Sequence, residues 1–211
     1  MLRMIDRSRM FSLERIWFPE DGCGLDSEAD IVRLLRVRSD HTEYKGSINE
    51  INYTLISNLD ESEGELFSKM RRSYRAQIRR CADDGDVAVS MYEAANLKEA
   101  PSIIRDFCDT YMTFCTSSKM PGLKKFFDAR KINSYIENNC ITVSRAAFKN
   151  GSVYHLYVHD DKNTVILYSA SDFRNKDVDS NLAGRANKFL HYKDMMYFKA
   201  HGLRSYDWGN I

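Results

Sequence analysis

The stretch ITVSRAAF-KNG-SVYHLYVH, residues 141–159, limits the fold of this chain more than any other. Two segments with strand-like alternation flank Lys149-Asn150-Gly151, and Asn-Gly supplies the positive φ that a tight hairpin turn needs. HDDKN turns the chain again and TVILYSAS, residues 164–171, follows as a third strand, so an antiparallel meander is predicted. After the polar loop SDFRNKDVDS, the segment NLAGRAN opens a helical pattern that runs to about His201. Ala186, Phe189, Leu190, Met196 and Ala200 form its buried face, and His201-Gly202 closes it. LRSYDWGNI then reads as a short aromatic strand. Strand, helix and strand in that order predict a right-handed crossover between parallel strands, with a ligand site beyond the strands' carboxyl ends.

Upstream, the pattern predicts a helix over Ser27–Val37 with Ser27 as its cap, a strand over 51–59 and an amphipathic helix over Leu66–Ala82. A strand over 87–92 follows, then helices over Leu97–Cys115 and Gly122–Asn138. With 211 residues, no repeat and no linker-like tract, the reading is one main domain over 48–211, with residues 1–47 packed on it as an N-terminal segment.

Composition excludes several classes. A chain that is 43% hydrophobic and 12% aromatic should fold, and a net charge of +1 gives no global pull toward nucleic acid or an anionic membrane. The five cysteines lack any CxxC pair, which fits neither a zinc site nor a disulfide framework and points to a reducing cytoplasm. No run reaches the roughly 18 apolar residues of a membrane helix. Neither GxSxG, HExxH, a P-loop nor a dinucleotide fingerprint is present. His155 and His159 share one side of a strand but stand about 13 Å apart at about 3.3 Å per residue, too far to share an ion, so no metal is expected.

Four features carry chemistry. The NLAGRAN turn offers helix N-terminal N–H groups, a glycine that admits a close ligand and Arg185 for phosphate oxygens; alternatively Ser180 or Asn181 caps the helix and Gly184 packs on a strand. KMRRSYRAQIRR carries only positive charges, as a phosphate-binding footprint or as a solvated face balanced by DESEGE before it. His191 reads as a partly buried structural histidine. Asp207, between Tyr206 and Trp208, reads as a proton acceptor or as a hydrogen-bonding anchor.

The order of elements, together with RAQIRRCADDGDVAV (75–89) and GRANKFLHYKDMMYFKAHGLRSYDWGNI (184–211), resembles the GNAT acyltransferase superfamily and its FemAB-like branch. The resemblance implies an α+β fold with a central, mostly antiparallel mixed sheet flanked by helices. It implies acetyl-CoA or another acyl-CoA held through its diphosphate at Gly184, Arg185, Ala186 and Asn187. Backbone N–H groups near Ser169 and Ala170 would receive the acyl carbonyl, and Asp207 would act at the acceptor, a small-molecule or peptide amine. The fuller glycine motif of the superfamily is absent, and the FemAB enzymes proper use aminoacyl-tRNA to build cell-wall peptides. Aminoacyl transfer from tRNA and a catalytically silent binding module are therefore the alternatives.

Overall fold

The computed structural model describes residues 1–7, 10–20, 24–37, 48, 50, 52–117 and 127–210. Ile51, Cys23, Pro121, Gly122 and Ile211 lie outside them.

The meander forms as predicted. Strands β6 (Ile141–Phe148), β7 (Gly151–His159) and β8 (Asn163–Ser171) pair antiparallel, and Asn150 takes φ 63° at the turn. Helix α6 (Ser180–Ala200) then crosses over and returns the chain as β9 (Ser205–Asn210), parallel to β8. Strand β4 (Thr54–Asn58) pairs antiparallel with β9 and β5 (Ala88–Glu93) with β6, which completes a six-stranded mixed sheet in the order β4-β9-β8-β7-β6-β5.

Helices cover both faces. On one side lie α1 (Glu63–Lys69), α2 (Arg72–Asp84) and α6, with Leu66, Ile78, Leu190, Met195 and Phe198 buried against the sheet. On the other lie α3 (Ala94–Glu99), α4 (Ser102–Ser117) and α5 (Ala129–Glu137). Phe107 of α4 is fully buried there among Tyr111, Phe127, Tyr154 and Tyr168.

Several boundaries differ from the pattern. Ser27–Val37 is not a helix: Ser27 Oγ accepts from Ala29 N in a local turn, and Ile31–Leu35 is strand β3. It pairs parallel with β2 (Ser12–Trp17), which pairs antiparallel with β1 (Leu2–Arg7). This small sheet joins the main core through Met4, Trp17 and Phe18, and the indole of Trp17 meets Tyr135 edge-on at 6.2 Å. The helix expected over Leu66–Ala82 is two, because Met70 (ψ 148°) and Arg71 (ψ 144°) are extended and Arg75 donates to the carbonyls of Ser68 and Met70. Pro101 likewise separates α3 from α4.

One irregularity in β8 shapes the site. Leu156 faces Tyr168 but Tyr157 faces Ile166, so Leu167 is an extra residue. Such a bulge resets which face later side chains take. Ser169 therefore stands opposite His155 on the α6 side, while Tyr168 and Ala170 turn to the α4 side.

Candidate functional site

The parallel β8–β9 ladder is short. It pairs Asn163 with Ser205, Thr164 with Tyr206 and Val165 with Asp207, then stops, although β8 continues to Ser171. Gly209 holds φ 81°, and a Cβ there would lie 3.0 Å from the carbonyl oxygen of Ile166, so β9 bends where it passes β8. Beyond that point the edge of β8 lacks β9. Adjacent residues of a strand send their N–H groups to opposite edges, so one amide of the Ser169–Ala170 pair faces this opening. Ser169 is exposed; Ala170 is buried, its side chain in the core on the other face.

The α6 wall is set by helical spacing. Gly184, Asn187 and His191 fall three and four residues apart and share one stripe. Asn187 Oδ1 lies 2.9 Å from His155 Nε2, and His155 is the cross-strand partner of Ser169, which brings Ser169 and Asn187 to one place. A Cβ on Gly184 would meet nothing within 4 Å, so no strand packs against it.

The helix start differs from the expectation. Asp179 is the cap: its Oδ1 accepts from Asn181 N at 2.8 Å and Leu182 N at 3.2 Å, and Ala183 N reaches the carbonyl of Asp179. Gly184, Arg185, Ala186 and Asn187 thus sit a full turn inside the helix, where their N–H groups are bonded along it. Neither Ser180 nor Asn181 is the cap, and NLAGRAN presents no free helix terminus for a diphosphate. Ala186 is buried against α2, and Arg185 lies beside the Cys81 thiol of α2. Replacing Asp179 by Ala should cost about 1 kcal/mol of stability, and Ser should restore most of it. Urea melts of the two variants check this, and equal losses in both would mean that the cap contributes nothing.

Asp207 lies on the opposite sheet face from this wall, because Tyr206 and Trp208 turn toward α6. It accepts from the Thr54 hydroxyl and from Gly209 N at 2.9 Å, and Arg36 Nε stands 3.5 Å from its other oxygen. This is the geometry of an anchor that ties β3's end, β4 and β9 together.

Beneath the α6 stripe lies a buried polar network that the sequence reading did not assemble. Asp194 Oδ2 takes His155 Nδ1 at 2.7 Å and the Tyr157 hydroxyl at 2.6 Å. Tyr157 OH meets Tyr206 OH at 2.6 Å, and Tyr206 OH meets His191 Nδ1 at 2.7 Å. The rings of His155 and His191 lie 4.1 Å apart, and His191 lies 4.8 Å from Trp208. Burial, with the His155 ring alongside, holds the His191 pKa well below the usual histidine range, and burial pushes both tyrosines well above theirs. His159, on the same strand face, is also lowered by burial and lies 3.2 Å from Thr142 Oγ1. His155, His191 and Asp194 each place one donor atom within 4.8 Å of the others, but the Nδ1 atoms are committed to Asp194 and Tyr206. The legible signals were polar residues on otherwise apolar faces: H-x-Y on β7 and H-x-x-D on α6.

Two concavities of about 390 and 380 Å³ lie elsewhere, between β1, β2 and the segment before β3, and on α4. Among the described residues no helix is long and apolar enough to cross a membrane.

No family model matches the chain, and no curated protein matches it in sequence. Solved structures do. The C-terminal DUF2156 domain of a putative lysylphosphatidylglycerol synthetase from Agrobacterium fabrum has TM-score 0.52 at 12% identity, covering 75% of this chain and 46% of that one. FemX has TM-score 0.52 at 14% identity, covering 75% and 52%. The chain thus spans about half the length of these two structures. At such identities the likeness is one of architecture: the central mixed sheet with its parallel crossover is a GNAT-like fold.

Proposed function

We propose that the chain transfers an acyl group to an amine at the opening between β8 and β9. One observation carries this reading: the parallel ladder ends at Val165–Asp207 while β8 runs on, leaving a strand-edge N–H beside the polar wall of α6. A pre-aimed N–H of this kind stabilises the oxygen of an acyl carbonyl as it gains negative charge, an effect typically large in acyl transfer. The likeness in fold to FemX and to the synthetase domain supports a transferase.

An acyl-CoA is the donor that the superfamily resemblance implies first. The carboxylate of Asp179 already takes N–H groups at the start of α6, and a second anion at that helix start would be repelled. That favours the second reading, an aminoacyl group carried by tRNA, for which the exposed Arg71, Arg72 and Arg79 offer a basic edge on α2. Arg75 is not part of it, since its guanidinium holds the carbonyls of Ser68 and Met70.

The test offers acyl-CoAs and charged tRNAs in parallel with a library of small and peptide amines, and follows amide formation by mass spectrometry. Transfer from tRNA, weakened by Arg72→Glu with Arg79→Glu and by added salt, is expected. Transfer from acyl-CoA alone would reassign the donor. Failure with every donor would leave the chain a silent module on this fold.

A further inference from the structure

We propose that His191 is the proton acceptor for the attacking amine, its Nε2 lone pair held in place by a one-way chain of hydrogen bonds through Tyr206 and Tyr157 to the buried Asp194. The inference rests on the reading of the chain as an acyltransferase and names a catalytic residue for it.

Donor counting fixes the direction of the chain. Tyr157 has one hydroxyl proton, and it goes to the carboxylate of Asp194 at 2.6 Å. The 2.6 Å contact between the two tyrosine oxygens then requires Tyr206 to donate to Tyr157. With its own proton spent, Tyr206 can only accept at the 2.7 Å contact with His191, so His191 carries its proton on Nδ1. The lone pair is left on Nε2. Among the described residues that atom has no hydrogen-bond partner, and His191 keeps 9% of its surface exposed. Asp194 Oδ1, by contrast, is sealed and unpartnered among those residues, an acceptor with capacity to spare at the far end. His191 also shares the helix stripe of Gly184 and Asn187, the wall of the opening.

The step balances. The amine nitrogen bonds to the acyl carbon, its N–H proton passes to Nε2, and the bond from the acyl carbon to the carrier breaks with its electron pair leaving on the carrier oxygen or sulfur. The proton on Nε2 then returns to that atom, giving amide and free carrier. While Nε2 is protonated, the positive ring is steadied by Asp194 through the two tyrosines. Tyr206, Tyr157 and Asp194 are positioning residues in this scheme, since none touches the reacting atoms.

The test has two arms. In histidine labelled with nitrogen-15, without ligand, His191 at pH 7 should show a neutral ring with its proton on Nδ1, and Tyr206→Phe should admit the Nε2–H form. With the donor and amine found by the transfer assay, His191→Gln should lower kcat about 100- to 10,000-fold with the donor KM unchanged, and added imidazole should restore part of the rate of His191→Ala. A proton on Nε2, a charged ring at pH 7, or a His191→Gln variant of full activity would each overturn the proposal. So would one equivalent of tightly bound zinc, which would occupy the nitrogens of His155 and His191. If the ring is neutral and Nδ1-protonated but no donor transfers, the acyltransferase reading fails and takes the base role with it, while the hydrogen-bond chain stands as structure.

Discussion

As the pH falls below 6.5 the folded chain is expected to lose stability through two histidines whose charged form burial disfavours, a loss that begins before any carboxylate titrates. His191 is buried and His159 partly buried, and desolvation holds each below its ordinary value of 6.5. The sign follows from which state binds protons. Below 6.5 the unfolded chain takes up a proton at each histidine and the folded chain does not, so stability is whole above 6.5 and falls as the pH drops toward the folded values. Each group contributes at most about 1.4 kcal/mol per pH unit, and the two together about 2.7. Against a typical total of about 5 to 15 kcal/mol, a slope of that order is readily measured. The titratable groups that face His191 are His155 from β7, Tyr206 from β9 and Asp194 from α6 itself. Asp160 and Glu14 are lowered from ordinary values of 3.8 and 4.5, so their contributions are lost only at lower pH. Urea melts at pH 7, 6 and 5 measure the slope. His191→Gln should roughly halve it, and a flat profile would mean that neither imidazole is held neutral by the fold.

The same histidines show how much the sequence could tell. The meander and crossover were legible because their cause is local: Asn-Gly forces a hairpin, and a three-to-four-residue apolar spacing forces a helix that must lie on the sheet. The small-sheet strands were not legible, since β3 is held by β2, whose paired residues lie 18 positions earlier, against a local pattern that also suits a helix. The bulge at Leu167 left no mark in the alternation of TVILYSAS, yet it decides which side Ser169 takes. His155 and His159 were correctly placed on one face, but the partner that explains His155 is Asp194, 39 residues on in another element. The cap at Asp179 was missed because DVDS reads as loop. That one acid moves the helix start upstream and turns an anticipated anion site into a neutralised terminus.

Asp207 separates anchor from acid–base residue most cleanly. Asp207→Ala should cost about 3 kcal/mol, at the lower end of what breaking a buried ion pair costs, because the partially exposed Arg36 can still reach water and the Thr54 hydroxyl keeps the Gly209 carbonyl, while Gly209 N loses its acceptor. Asp207→Asn keeps an oxygen for Gly209 N and the Thr54 hydroxyl and forfeits only the charge opposite Arg36, so about 1 to 2 kcal/mol is expected. Transfer activity per folded molecule should be near that of the parent in Asp207→Asn. A proton acceptor would behave the other way: the asparagine would fold almost as well as the parent and turn over about 100- to 10,000-fold more slowly. The two outcomes diverge because the carboxylate points away from the α6 wall. A group on the far face of a sheet can hold strands together there, but it cannot take a proton from an amine on the near face without a relay, and its two oxygens are already met by Thr54, Gly209 and Arg36.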